Sequence, residues 1–277
     1  MSATATLSRS EAKTLLVDEL SVGFGGVVAL DQVSMSATQG EVVGVIGPNG
    51  AGKTTLFNVI SGFVRASSGA ITYDGSSLLG HHRPHDLTKI GIARTLQGVG
   101  LFAGLSVLEN VMVGAQNRLR SDLASAFLGL WRSSREERRV TEQARELLQE
   151  LGVGAYAGQF PATLPYSIQK RTALARALMA EPSLLLLDEP ASGLSNDEMD
   201  ALGAMIRGLS GRTGVLLVEH HMDLVMSVCD RIVVLNFGQV IADGTPEAVR
   251  SNPEVATAYL GDAVEGAPIA TGTADDA

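Results

Sequence analysis

VVGVIGPNGAGKTT, residues 42–55, decides the reading of this chain. The apolar run Val42–Ile46 reads as a buried strand, a glycine-rich turn follows, and TLFNVI continues as a helix. The turn fits G-x-x-x-x-G-K-[ST], with Gly47, Gly52, Lys53 and Thr54 in register. Its residue types suit a phosphate cradle. Glycines (Gly47, Gly50, Gly52) let successive backbone N–H groups face one concavity, and the following helix adds its positive N-terminal end. Pro48, Asn49, Ala51 and Thr55 complete the loop. Lys53 supplies a point charge for the β- and γ-phosphates, and the Thr54 hydroxyl can ligate Mg²⁺. A plain glycine turn needs neither the lysine nor the strand–turn–helix setting. The stretch therefore predicts binding of a nucleoside triphosphate.

Composition narrows the class. At 277 residues the chain has ample material for one large domain or two small ones. No apolar run approaches the roughly 18 residues that a membrane span needs; the longest candidate, SLLLL, stops at Asp188 and Glu189. MSATATLSRSEAK lacks the apolar core of a secretion signal, and one cysteine, Cys229, excludes an internal disulfide. The net charge of −9, without a long basic block, argues against nucleic acid as a partner. The expectation is a cytoplasmic protein that can dock on a membrane protein.

Residues 1–12 and 263–277 read as disordered ends around one domain, 13–262. From 14 to 46 β-type runs dominate: TLLVDELSVGF, VVAL, QVSMSA and EVVGVI, with AITYDG as a further strand after the phosphate loop. From about 98 to 163 the pattern is helical. Ser106 and Glu109 form a capping box, and Val140, Ala144, Leu147, Leu148 and Leu151 recur at helical spacing before Gly152. Another helix is expected from about Ile168 to Ala180. Strands then return in SLLLLDEP, GVLLVEHH and the pair RIVVLN/QVIADG around Phe237-Gly238, with a helix capped by Ser195 and Glu198 between the first two. The fold class is α/β: a phosphate-loop core with an N-terminal antiparallel β layer and an inserted helical subdomain.

Three further signals carry chemistry. SLLLLDEP delivers Asp188 and Glu189 at a strand's C-terminal end, where ligands of open parallel sheets sit. Asp188 suits Mg²⁺, and Glu189 suits orienting or deprotonating an attacking water. GVLLVEHH ends in His220 and His221, within reach of a γ-phosphate on that reading. Gln97, in ARTLQG, lies where core meets helical insertion, a place from which it can sense Mg²⁺ and water.

In this order, the four signals resemble the nucleotide-binding subunit of ATP-binding cassette (ABC) transporters, over roughly residues 14 to 262. The resemblance implies ATP and Mg²⁺ as ligands, with Phe24 stacking on adenine, Gln97 touching the metal, and His220 as the switch histidine. SGLS, 192–195, looks like the loop that crosses the dimer interface. GIARTLQGVGLFAGLSVLENVMVGA, the FGGVVAL opening and GTPEAVRSNPEVATAYLGDA resemble the ATPases of branched-chain amino acid importers, including relatives for urea or short amides. That implies a second ATPase subunit, transmembrane permease subunits, and indirectly a periplasmic or lipid-anchored solute-binding protein, with this chain on the cytoplasmic face of the membrane.

One motif departs from the family. Its L-S-G-G-Q, or L-S-Y-G-Q, is LPYSI here, 164–168. Pro165 offers neither hydroxyl nor N–H, Ser167 adds bulk where glycine is usual, and Ile168 removes a polar contact. Either Pro165 merely starts the helix, or the dimer is asymmetric, because a signature completes the ATP site of the opposite chain. His81, His82 and His85 are close enough in sequence for a transition metal but fit a solvated loop. AFLGLW, 126–131, suits a permease contact or a small core patch. Two rivals remain: a cassette ATPase outside transport, and a weakly hydrolysing regulatory cassette. A kinase or GTPase would leave the spacing from Gln97 to His220 unexplained.

Overall fold

Five-residue strands without a polar interruption must be covered on both faces, and this is what β3 (Val42–Ile46), β7 (Leu184–Asp188) and β8 (Gly214–Val218) undergo. The structure, a computed structural model, describes residues 12–80, 83–95, 98–116 and 133–265. Together with β6 (Ile92–Arg94), β9 (Arg231–Asn236) and β10 (Gln239–Gly244), these strands form a six-stranded sheet in the order β10-β9-β3-β8-β7-β6. All neighbours run parallel except β10, which returns antiparallel to β9.

Side chains of this sheet alternate between two cores. Val42, Ile46, Leu185, Leu187, Val215 and Leu217 face helices, whereas Val43, Val45, Leu184, Leu186, Leu216 and Val218 face a second sheet. That sheet is antiparallel, in the order β2-β1-β4-β5, from β1 (Thr14–Phe24), β2 (Val27–Thr38), β4 (Ser68–Tyr73) and β5 (Ser76–Ser77). Helix α1 (Lys53–Ile60) is packed into this second core through Leu56, Phe57, Val59 and Ile60. VVAL and QVSMSA, expected as separate runs, are one strand. Gln32 adopts φ 52°, and the pairing with β1 shifts register there, so the buried positions change phase from Leu30 to Val33, Met35 and Ala37.

The helical face is built from α2 (Val107–Val113), α3 (Ser133–Glu150), α4 (Tyr166–Leu178), α5 (Asn196–Leu209), α6 (Met222–Val228), α7 (Pro246–Arg250) and α8 (Pro253–Glu265). Both expected capping boxes are present, Ser106 with Glu109 and Ser195 with Glu198. Between β6 and β7 the described residues contain helices and turns alone. Helix α8 continues through Gly261 to Glu265, three residues into the expected tail. The histidine segment also differs from a loop: Pro84–Ile90 winds as a 3₁₀ helix started by Pro84.

Candidate functional site

The phosphate loop leaves β3 in the middle of the sheet and bends through Gly47 (φ 150°), Gly50 (φ 78°) and Gly52 (φ 101°). Space demands glycine as strongly as backbone angle does. A Cβ on Gly47 would collide with the Leu235 carbonyl oxygen of β9, and one on Gly52 would lie 2.6 Å from the Ala29 oxygen of β2. The tip of the β9–β10 hairpin backs the loop: the Gly238 N–H donates to the Ala51 carbonyl at 3.1 Å, and Gly238's own carbonyl accepts from Asp31 N–H at 2.8 Å. Phe237 and Gly238 both have positive φ, as a tight two-residue turn requires.

The loop suits phosphate. Gly52 caps α1 without a side chain, and no acidic residue stands in its first turn, so the helix does not neutralise its own positive end. Lys53 Nζ donates back to the carbonyls of Gly47 and Pro48, at 2.6 and 2.7 Å, which places the ammonium over the loop. Thr54 is exposed on the same turn. Phe24 ends β1 half exposed, opposite exposed Val27 at the tip of the β1–β2 hairpin, and the pair offers an apolar surface able to take a flat ring.

Asp188 ends β7 almost fully buried. Its Oδ2 accepts from Arg94 Nη2 at 2.8 Å, and the two side chains are 2% and 10% exposed. Arg94 Nη1 also donates to Phe57 O, Asn58 Oδ1 and Ser61 Oγ of the α1 region, at 3.3, 3.0 and 2.9 Å. One guanidinium thus joins the end of β6, the helix after the phosphate loop and the carboxylate of β7. Asp188 is a hard oxygen donor at the same sheet edge as Thr54, a pair whose chemistry fits Mg²⁺.

Glu189, next along, adopts φ 46°, a left-handed conformation uncommon for a non-glycine residue. Its N–H donates to Val218 O at 2.9 Å, so the loop after β7 is fastened to the end of β8. Glu219, fully buried, strengthens the fastening. Its Oε1 accepts from Ala191 N–H at 2.8 Å, and its Oε2 from the N–H groups of His220 and His221 at 2.8 and 3.0 Å. Oε2 also lies 2.8 Å from His221 Nδ1. Burial pushes the Glu219 carboxyl up, but these hydrogen bonds outweigh it and hold the group below the usual carboxylate range.

His220 carries the more exposed ring, 55% against 31% for His221, and the two rings stack at 4.1 Å. Glu219, His220 and His221 place ligand-type atoms within 4.8 Å of one another. Glu219 spends its oxygens on four hydrogen bonds, so the group is a hydrogen-bonded brace rather than an open metal site.

The phosphate loop, Asp188, Glu189 and the Glu219–His221 segment follow β3, β7 and β8, three adjacent parallel strands, and therefore share one edge of the sheet. Gln97 lies outside the described residues, as do His81, His82 and residues 126–131. Beyond Gln97, Arg176 of α4 donates to the carbonyls of Gly100 and Val99 at 2.7 and 3.4 Å, and so fixes the chain as it enters the helical insertion. His85 is exposed and lies 3.6 Å from Asp86; among the described residues it joins no metal-ligand group.

In the signature segment Pro165 is the N-cap of α4, with extended ψ, and the helix begins at Tyr166, two residues before the expected start. Gln169 Nε2 donates to Leu164 O at 2.9 Å, and Ser167 and the Glu198 carboxylate of α5 line one pocket. The neighbouring Ser167 side chain, and Ser195, whose N–H and hydroxyl donate to it at 2.9 and 3.0 Å, hold that carboxyl below its usual range. A negative group thus already stands at the positive end of α4. Arg94 and Glu219 were not singled out from sequence, and Glu198 only as the cap of its own helix. Arg94 alone had a signal, a charge directly after apolar Ile92 and Ala93 and within the ARTLQG segment.

The ABC transporter family model matches residues 30–192, and the model for the branched-chain amino acid ATP-binding cassette transporter matches residues 239–265. The high-affinity branched-chain amino acid transport ATP-binding protein BraF of Pseudomonas aeruginosa is 41% identical over 251 residues, covering 90% of this chain and 98% of that protein. LivG of Escherichia coli K12, described in the same terms, is 38% identical with the same coverage. Among solved structures, an ATP-binding cassette of an ABC transporter in its ADP conformation superposes with a TM-score of 0.75 at 31% identity, covering 90% of this chain and 99% of that one.

Proposed function

We propose, from the premise that this chain belongs to the ABC transporter family, that it is the ATP-hydrolysing subunit of an importer for branched-chain amino acids or a related small polar solute. The observation that carries this reading is the convergence of the phosphate loop, Asp188–Glu189 and the Glu219–His221 segment on one edge of one sheet. ATP is the substrate. Its phosphates would take over the hydrogen bonds that Lys53 Nζ now gives to Gly47 and Pro48, with Phe24 against the adenine. Glu189 would orient and deprotonate the attacking water, and His220 and Lys53 would offset charge on the transferring phosphoryl group. Thr54, Asp188 and Gln97 would hold Mg²⁺, which when bound neutralises developing phosphate charge.

No helix among the described residues is long and apolar enough to cross a membrane, so the solute would pass through separate permease subunits. We place the cassette on the cytoplasmic face of the membrane, paired with a second cassette. Reconstitution with its permeases and solute-binding protein tests the reading. ATP-dependent uptake of labelled leucine is expected and should vanish with Lys53→Ala; ATP turnover without uptake of any branched-chain amino acid would sink the transport assignment.

A specific observation favours an asymmetric pair. The Glu198 carboxylate lines the same pocket as Ser167, beside the helix end that would otherwise meet the opposite chain's γ-phosphate. Pro165 supplies neither hydroxyl nor N–H beside it. Such a signature serves the opposite site poorly, while this chain's own site would be completed by its partner. Restoring LSYGQ at 164–168 is expected to raise ATP turnover of the assembled transporter about twofold, the limit set by waking one of two sites. Unchanged turnover at saturating ATP would favour a tolerant signature.

A further inference from the structure

Lys170 projects from the second turn of α4 toward the loop that follows β7. Its Nζ donates to three backbone carbonyls of that loop, Glu189 at 3.3 Å, Pro190 at 2.8 Å and Ser192 at 2.6 Å. An ammonium has three N–H donors, and each here meets one carbonyl. The Tyr166 ring, one turn back on the helix, lies 5.2 Å below the charge. We infer that Lys170 is a positioning residue for Glu189, gathering the backbone that aims this carboxylate and tying it to the signature helix of the same chain.

Three observations support the assignment. Glu189 is held at φ 46°, where an L-residue does not rest without help. The opposite side of the same loop is already fixed, by Glu189 N–H on Val218 and Ala191 N–H on Glu219. Its carbonyl side has a turn bond within the loop, Ser192 N–H to Glu189 O at 3.2 Å, and Lys170 ties that side to α4. Burial draws the lysine's pKa down while the charges of Glu219 and Glu189 draw it up, which is the environment of an ammonium enclosed by its acceptors. Arginine cannot copy the arrangement, because a planar fork does not converge three donors on one point.

This inference rests on Glu189 being the residue that activates water. The test uses the transporter reconstituted with its permeases, carrying Lys170→Met, Glu189→Gln, or both. Lys170→Met is expected to lower kcat about 10- to 100-fold, the range for a small misplacement of a reacting group, with KM for ATP within about twofold of the parent. Combined with Glu189→Gln it should add less than about twofold, since a residue acting through Glu189 has nothing left to position. Lys170→Gln, which keeps one donor arm, should fall between parent and Lys170→Met and serves in its place if the methionine variant does not fold. A parental kcat in Lys170→Met, a rise in KM at constant kcat, or a full further loss on the Glu189→Gln background would each overturn the proposal. Parental activity in Glu189→Gln alone would instead overturn the site on which it rests.

Discussion

Glu189→Gln is expected to cut ATP hydrolysis about 10²- to 10⁴-fold while ATP binding stays at the parental level, the range for loss of a positioned general base. Glutamine keeps the shape of the side chain and leaves the N–H bond to Val218 and the three carbonyls on Lys170 in place, since all of these belong to the backbone. Only the proton-accepting oxygen is lost. The phosphate cradle is made of other residues, so filter binding or a fluorescent nucleotide should report an unchanged dissociation constant. The split between binding and turnover is the informative readout. Hydrolysis within about threefold of the parent would place the base elsewhere and favour the weakly hydrolysing regulatory reading.

Arg94→Met is expected to destabilise the fold by about 3–5 kcal/mol, the usual consequence of removing one partner of a buried ion pair. The substitution would strand Asp188, almost wholly enclosed at the end of β7, and leave Phe57 O, Asn58 Oδ1 and Ser61 Oγ without their common donor. For a chain of this size that corresponds to a fall in Tm on the order of 10 °C. Adding Asp188→Asn should recover part of the loss, because an amide tolerates an apolar neighbour better than a carboxylate does. Calorimetry of the three proteins decides the matter. A Tm for Arg94→Met within about 2 °C of the parent, or a double variant less stable than the single, would show that the pair is not a structural tie.

The parts of the site legible in sequence are those whose chemistry is set by local spacing. G-x-x-x-x-G-K-T encodes its own turn, and LLLLDE announces a buried strand that ends in acid. Both lie at the sheet edge expected of them. The braces were not legible, because each joins residues far apart in the chain: Arg94 to Asp188 and to Phe57, Glu219 to Ala191, Lys170 to Ser192. A sequence shows the charges but not their partners. Likewise β6 is three residues long, too short for periodicity to declare, and is a strand only because β7 offers it a ladder. β2 looked broken at Asp31-Gln32, since a bulge and an interruption give the same pattern until the pairing partner is known. The nearness of Glu198 to the signature segment was hidden for a related reason: Glu198 was recognised as a cap for its own helix, and only the fold brings it to the pocket that Ser167 also lines.

The hairpin behind the phosphate loop makes an early motif depend on a late part of the chain. The motif that grips phosphate is translated early, yet it leans on Leu235 and Gly238, which leave the ribosome only when most of the chain has been made. The early segment cannot close its cradle by itself and must wait for a distant β-ribbon to arrive, so the closing step carries the entropy of a long loop. ATP would therefore stabilise only chains synthesised past that ribbon. Truncated products, having the complete motif but no backstop, would gain nothing from the nucleotide and stay open to proteolysis.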